Sequence, residues 1–188
     1  MALYQDVIIA GFGGQGVLLI GNLLAYSVMQ TGLYVTYMPV YGVEQRGGTA
    51  NCTVVISQEE IGSPLVMHPT SLIIMNQPSL EKFQPRLQDS GLQVVNTSIV
   101  EGSLLEGERI RSFRVPANDL AIEMGNPRMA NRVALGAWLE ASGIVEIERV
   151  MDCFPLVLGK DDERLVRANY RAMQAGAEEV RKVLQESN

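Results

Sequence analysis

Cysteine is nearly absent. Cys52 and Cys153 are the only two in 188 residues, and they lie far apart. Two thiols with no Cys-x-x-Cys pair give no disulfide framework, which suits a reducing cytoplasm. They also fall short of the four thiolates of an ordinary iron–sulfur cluster. Histidine is scarcer still. His68 stands alone before Pro69, with no nucleophile or carboxylate partner recognisable nearby, and it reads as a loop residue rather than a catalytic base. Basic charge is in deficit: the net charge of −6 argues against a nucleic-acid binder. No apolar run approaches the roughly 20 residues of a membrane span. The first residues lack the basic-then-apolar pattern of a secretory signal. No internal repeat, low-complexity tract or linker-like stretch interrupts the chain. The expectation is one cytoplasmic domain over residues 1–188, with no nucleic acid or membrane as partner. The 47% hydrophobic content suffices for a full core.

What is present centres on Asp6 to Gly16. Val7, Ile8, Ile9 and Ala10 form a continuous apolar run, as in a strand buried on both faces of a sheet. Gly11, Gly13 and Gly16 follow at the G-x-G-x-x-G spacing, and an apolar segment from Val17 is long enough for a helix of several turns. Strand, glycine turn and helix thus occur in the order of a phosphate-cradling loop. Glycine frees the backbone for positive φ and for close approach of a ligand. The helix start adds free N–H groups and a positive dipole end. A tight packing turn in an α/β core is the alternative reading.

The next strand, Tyr34–Met38, offers Thr36, Tyr37 and Met38 where an NAD-binding fingerprint needs an acidic residue for the ribose. An ordinary dinucleotide site is therefore not expected. Pro39 to Asn51 then holds Tyr41, Glu44, Gln45, Arg46, Gly47 and Gly48. This polar loop after a buried strand reads as a place for Arg46 to meet an anion; a solvated Glu44–Arg46 pair is the alternative. Cys52–Ser57 reads as a strand. Glu59–Pro64 reads as a turn that shapes an antiparallel excursion, which would make the sheet mixed. Ser71–Asn76 is a buried strand. Asn76 and Gln77 at its carboxyl end either face a polar ligand or serve the helix start at Pro78 and Ser79.

Leu92–Thr97 and Glu108–Val115 complete the strands, with Arg109, Arg111 and Arg114 read as an exposed face. Asn126-Pro127 signals a helix start. Met129, Val133, Leu135, Trp138 and Leu139 ride that helix, with Trp138 in the core, and Gly143 ends it. Glu146–Asp152 reads as a short helix broken by Pro155. A final helix runs from about Asp161 to Glu186. Its stripe of Val166, Tyr170, Met173, Ala177, Val180 and Leu184 packs on its own domain or under a partner.

Taken together, these loops resemble the gamma subunit of 2-oxoacid:ferredoxin oxidoreductases, of the 2-oxoglutarate or ketoacid type. The resemblance rests on Gly11-Phe-Gly-Gly-Gln-Gly16, Tyr41-Gly-Val-Glu-Gln-Arg-Gly-Gly48 with Thr49-Ala-Asn51, Met75-Asn-Gln-Pro-Ser79 and Asn131-Arg-Val-Ala-Leu-Gly-Ala137. These stand in family order over roughly residues 6–140. The resemblance implies an α/β, three-layer α/β/α fold with a mostly parallel, Rossmann-like sheet, equivalent to the third domain of pyruvate:ferredoxin oxidoreductase. It implies a non-autonomous part of an enzyme that decarboxylates a 2-oxoacid, with 2-oxoglutarate favoured, to an acyl-CoA and passes electrons to ferredoxin. Coenzyme A is implied at or near this chain, with Gly11, Gly13, Gly14, Gln15, Gly16, Arg46, Gly47, Gly48, Asn76 and Gln77 as binding residues and Glu44 steering Arg46. Thiamine diphosphate, magnesium and the iron–sulfur clusters are implied in alpha, beta and ferredoxin-like delta partners. Two other readings stay open: a purely structural assembly subunit, and a stand-alone NAD- or flavin-binding oxidoreductase domain.

Overall fold

The computed structural model describes residues 2–41, 49–104, 110–159 and 162–186. Its strands are β1 (Tyr4–Phe12), β2 (Tyr34–Tyr41), β3 (Thr49–Ser57), β4 (Ser71–Ile74), β5 (Leu92–Asn96) and β6 (Arg111–Val115). They form one sheet in the order β2-β3-β1-β4-β5-β6. The apolar run of β1 does what a strand with two covered faces must do. Val7 and Ile9 point into one core, Ile8 and Ala10 into another.

The helices are α1 (Val17–Met29), α2 (Gln77–Phe83), α3 (Ala117–Glu123), α4 (Ala130–Ser142), α5 (Ile147–Asp152), α6 (Phe154–Leu158) and α7 (Glu163–Glu186). All but α2 contribute buried side chains to the larger core, on the Val7–Ile9 face. The other face is thinner, covered by Leu80 and Phe83 of α2 with Val100 and Leu104. The three-layer α/β/α expectation holds, with unequal outer layers.

The sheet is mixed, but the reversal lies elsewhere than expected. β1 pairs with β4 in parallel and with β3 antiparallel, and β2 pairs with β3 antiparallel. β3 alone runs backwards, and its hairpin partner is β2, in a register from Tyr34 opposite Ser57 to Tyr41 opposite Ala50. Glu59–Pro64 forms no strand; it leads on towards β4. The physical reason is visible in the side chains. Residues 50–57 are buried and need partners on both edges, whereas Glu59 and Glu60 are exposed charges and Pro64 has no N–H for a ladder. Pro155 also acts differently from expectation. It occupies the first turn of α6, where a missing N–H leaves nothing unsatisfied, so it starts a helix after the short α5.

Two buried connections fix the layers. At the start of β1, Asp6 is buried, and its Oδ1 accepts from Thr70 N at 2.8 Å. Ser71 Oγ donates to the Asp6 carbonyl at 2.6 Å, and Trp138 Nε1 donates to Ser71 Oγ at 3.0 Å. β1, β4 and α4 are thereby joined, with Trp138 in the core as expected. The second connection is between α4 and α7. A Cβ added to Gly136 would collide with the Met173 carbonyl, and one added to Gly176 would collide with the Val133 carbonyl. The two helices touch backbone to backbone. Met173, Ala177 and Val180 are buried there and Val166 is partly buried against the same core, while Tyr170 and Leu184 are exposed. The stripe therefore packs mainly on its own chain.

Gly136→Ala is expected to destabilise the fold by about 2–3 kcal/mol, because the new methyl meets backbone that cannot rotate away. Thermal unfolding should show Tm lower by about 4–12 °C. Burial pushes the Asp6 carboxyl above its ordinary value of 3.8, against opposing hydrogen bonds from Thr70 and Tyr4. The native state thus holds this proton where the unfolded chain has lost it. Asp6 stabilises fully below the ordinary value, and that contribution is lost as pH rises through the raised one. Asp6→Asn keeps the acceptor for Thr70 N and should flatten that slope in denaturant titrations across the acid range.

Candidate functional site

β1 ends where its neighbours diverge: β4 continues in parallel on one side and β3 returns on the other. A crevice at the carboxyl end of such a strand is where open α/β sheets bind ligands. The glycine loop fills this position. Gly14 (φ +100°) and Gly16 (φ +73°) adopt left-handed backbone that disfavours a side chain. Gly11 is needed for space instead, since a Cβ there would crowd Met75, Val17 and Gln15. Gln15 holds the loop shut. Its Oε1 accepts from Phe12 N at 2.6 Å and its Nε2 donates to the Met75 carbonyl at 3.0 Å. Gln15, expected to meet a ligand, lines the cleft beside the loop, and its amide also shapes the loop and ties it to the end of β4.

Beside the loop opens a cleft of about 420 Å³. Its apolar walls are Leu19, Met75, Pro127 and Ala130; its polar ones are Gly14–Gly16, Asn118, Arg128, Asn131 and Arg132. Asn126 caps the turn that leads into α4, its Oδ1 accepting from Arg128 N at 3.2 Å, with Pro127 in the first helical position. This signal was legible in the sequence, and it sets Pro127, Arg128, Ala130, Asn131 and Arg132 along the cleft beside the glycine loop. Asn131 is buried and bonds both ways: Nδ2 donates to the Gly16 carbonyl at 3.1 Å, and Oδ1 accepts from Arg132 Nη1 at 2.7 Å. Arg132 Nε donates to Oδ1 of the fully buried Asn169 on α7 at 2.8 Å. Asn169 is oriented in turn by donating to the Leu165 carbonyl at 2.6 Å. Burial lowers the guanidinium pKa of Arg132, yet its partners are neutral amides. Among the described residues no carboxylate pairs with Arg132 or with the exposed Arg128.

The other expected site residues are distributed as follows. Asn76 is buried. Its Oδ1 caps α2 by accepting from Ser79 N at 2.9 Å, as the helix-start reading has it, while Nδ2 has no hydrogen-bond partner. Gln77 does not share a mouth with the glycine loop. It lines a separate shallow depression with Ile99, Glu101 and Gly102, where its Oε1 accepts from Gly102 N at 3.2 Å and its Nε2 donates to Glu81 at 3.0 Å. Glu44, Arg46, Gly47 and Gly48 lie outside the described residues, as does Arg109. His68, Arg111 and Arg114 are exposed, as expected. Sequence reasoning gave no role to Arg128, Asn131 or Arg132, although an Asn-Arg pair opening an apolar helix was a usable signal.

The cleft's chemistry is that of binding. Among the described residues, none of the side chains lining it is a carboxylate, imidazole, thiol or hydroxyl. Cys52 lies under α1, its thiol pushed up to about 12 by burial, and is not a nucleophile near neutral pH. Among the described residues no group of three or more His, Cys, Asp or Glu side chains is placed to hold a metal ion. No helix of the described residues is long and apolar enough to cross a membrane. What the cleft offers is cationic, amide and apolar surface for an anionic ligand.

Known proteins share this sequence and shape. The family model described as pyruvate ferredoxin/flavodoxin oxidoreductase matches residues 6–179. Ketoisovalerate oxidoreductase subunit VorA of Methanothermobacter marburgensis is 40% identical over 180 residues, covering 94% of this chain and 37% of VorA. The chain thus spans just over a third of that relative. 2-Oxoglutarate synthase subunit KorC of the same organism is 35% identical over 180 residues, covering 93% of this chain and 95% of KorC. The gamma subunit of a keto/oxoacid ferredoxin oxidoreductase from Geobacter sulfurreducens superimposes with a TM-score of 0.77 at 26% identity, covering 94% of this chain and 98% of that one. The 2-oxoglutarate:ferredoxin oxidoreductase of Magnetococcus marinus, solved with 2-oxoglutarate, coenzyme A and succinyl-CoA bound, reaches a TM-score of 0.85 at 23% identity, covering 95% of this chain and 31% of that one. At that identity the likeness is one of fold.

Proposed function

Because the chain belongs to the pyruvate ferredoxin/flavodoxin oxidoreductase family, we propose that it is the gamma-type component of a 2-oxoacid:ferredoxin oxidoreductase. In this reading it forms a single domain that covers the active site of a larger cytoplasmic complex and positions coenzyme A. Alpha, beta and ferredoxin-like delta subunits carry the thiamine diphosphate, magnesium and iron–sulfur clusters, and ferredoxin accepts the electrons. The overall reaction converts a 2-oxoacid to an acyl-CoA.

The observation that carries this reading is the pairing of near full-length similarity to KorC with a cleft whose described lining is cationic, amide and apolar and holds no acid, base or nucleophile. A component of this kind contributes orientation and electrostatics. Coenzyme A suits the residues present. Its phosphates match a glycine loop with positive-φ backbone at the start of α1 and guanidinium groups alongside. Its pantetheine arm matches the apolar wall of Leu19, Met75 and Pro127. When bound, coenzyme A supplies the thiol that takes the acyl group. Gly14 and Gly16 leave room for its approach, Gln15 keeps the loop in shape, and Asn131 fixes the loop to α4. Arg46 and Glu44, which lie outside the described residues, keep in this reading the role that the family resemblance implies, a further cation with a carboxylate that steers it.

The test is an anaerobic affinity purification of the tagged chain from its native cell, followed by an assay of dye reduction. The expected result is co-purification of thiamine-diphosphate-bearing subunits and reduction that depends on both an oxoacid and coenzyme A. 2-Oxoglutarate and 2-oxoisovalerate are compared in the same preparation. Arg46→Ala should raise KM for coenzyme A or for the oxoacid by about tenfold, the scale of one lost charge-assisted hydrogen bond. A chain that returns alone with bound NAD or flavin would contradict the proposal. A complex with unchanged kinetics in Arg46→Ala would remove that residue's role.

A further inference from the structure

Charge is missing from one side of the molecule. No Asp, Glu, Lys, Arg or His occurs from Val7 to Val43, a stretch that includes all of α1 and β2. For β1 this is ordinary, since both its faces are covered. For α1 it is not. Leu18, Asn22, Tyr26 and Met29 follow one another at helical steps along its outer side. Leu18 and Asn22 are half-buried, and Tyr26 and Met29 are exposed. A surface helix carries charged residues on such a side, whereas one that is uncharged all round belongs to an interior. α1 is too short to span a membrane, and it has no Lys or Arg to hold it on a lipid surface.

The neighbouring strand repeats the anomaly. β2 ends the sheet and pairs only with β3 among the described residues. Exposed edges are commonly blunted by charged side chains, bulges or proline. Along Tyr34–Tyr41 the sequence offers only Pro39, near the strand's end. Tyr34 and Val40 are exposed on this strand, and Tyr37 ties it to α1 by donating to the Leu18 carbonyl at 2.9 Å. At its middle, Thr36 Oγ1 is buried without a hydrogen-bond partner.

We infer that the outer side of α1 and the free edge of β2 form a two-fold interface between two copies of this chain, with the β2 strands paired antiparallel so that the sheet continues from one copy into the other. The charge balance favours a second copy. The chain carries a net −6, so two copies repel over most of their surface and meet most readily where neither bears charge. A two-fold contact also needs a surface that complements itself, which an antiparallel strand and an apolar stripe provide. The axis falls at Thr36. Tyr34 then meets the copy's Met38, and Val35 meets the copy's Tyr37. Pro39 falls opposite Leu33, outside the strand, where its missing N–H leaves no gap in the ladder. By turning about χ1, the Thr36 hydroxyl gains the copy's Thr36 as a cross-strand partner. The pairing does not depend on which ligand the cleft holds.

The full chain is followed by sedimentation velocity from about 1 µM to about 300 µM, the affinity range of a face below standard interface size. A monomer–dimer equilibrium is expected. Tyr26→Lys and Met29→Lys alter exposed side chains, and each should weaken the dimer by about tenfold or more because an unpaired charge is buried in the contact. Both lower the net charge, so a loss of pairing cannot come from general repulsion. Ile122→Lys, at an exposed position of α3, should leave the dimer unchanged. Thr36→Cys should form a disulfide between copies on mild oxidation, since opposed residues of antiparallel strands bring their Cα atoms within about 6 Å. The native Cys52 and Cys153 are buried and stay out of the reaction. A chain that is monomeric throughout the range would overturn the interface. A dimer indifferent to Tyr26→Lys and Met29→Lys would overturn it as well. In the anaerobically purified complex, a Met29→Lys variant that releases a different subunit, rather than separating two copies of this chain, would give the face to that subunit and overturn the pairing.

Discussion

Backbone contact between α4 and α7 is the constraint from which the candidate site follows. At Gly136 and Gly176 the helices approach so closely that neither position has room for a methyl group. That approach sets Asn169 of α7 within hydrogen-bond reach of Arg132 on α4. The neighbouring Asn131 then grips both that guanidinium and the Gly16 carbonyl. A helix-packing detail is thus continuous with the wall of the cleft and with the turn that opens α1. The same α4 is anchored from below by Trp138 on Ser71, so the wall has little freedom to shift relative to the sheet.

The sheet provides the other half of the geometry. β1 is buried on both sides and flanked by strands of opposite direction, so the loop leaving it faces an opening where no strand continues. Gln15 and Met75 close the floor of that opening. The result is a cationic and amide-rich cleft without proton-transfer groups among the described residues. Such a site selects and orients a ligand, and the bond changes belong to groups that other parts of an assembly would bring. The relatives fit this division of labour in two ways. One is nearly coextensive with this chain and another is nearly three times longer, so the same folded unit occurs both alone and within a larger polypeptide.

Much of this was legible in the sequence because the signals are local. The apolar run of Val7–Ala10, the glycine spacing after it and Asn126-Pro127 before α4 each dictate structure within a few residues. The parts that were not legible depend on partners far along the chain. That Gln15 also ties the loop to β4 is seen only once Met75, 60 positions on, is found to accept its hydrogen bond. Arg132 looks like an ordinary helix cation until Asn169 is placed beside it, 37 positions on. Gly136 and Gly176 look like weak points in helices until the helices are seen to cross there. The sequence places the antiparallel excursion at Glu59–Pro64, whereas the reversed strand is β3 itself, paired with β2 on one edge and β1 on the other. Strand direction, however, is decided by which edges must be covered.

The central claim is that the cleft between the glycine loop and α4 holds the charged part of coenzyme A. The most direct measurement is a crystal structure of the protein, in its assembled complex, with coenzyme A bound. The account predicts density for the diphosphate between Gly14–Gly16 and the guanidinium groups of Arg128 and Arg132. Density for the diphosphate at the Gln77–Gly102 depression, or on a different subunit with this cleft holding only water, would contradict it.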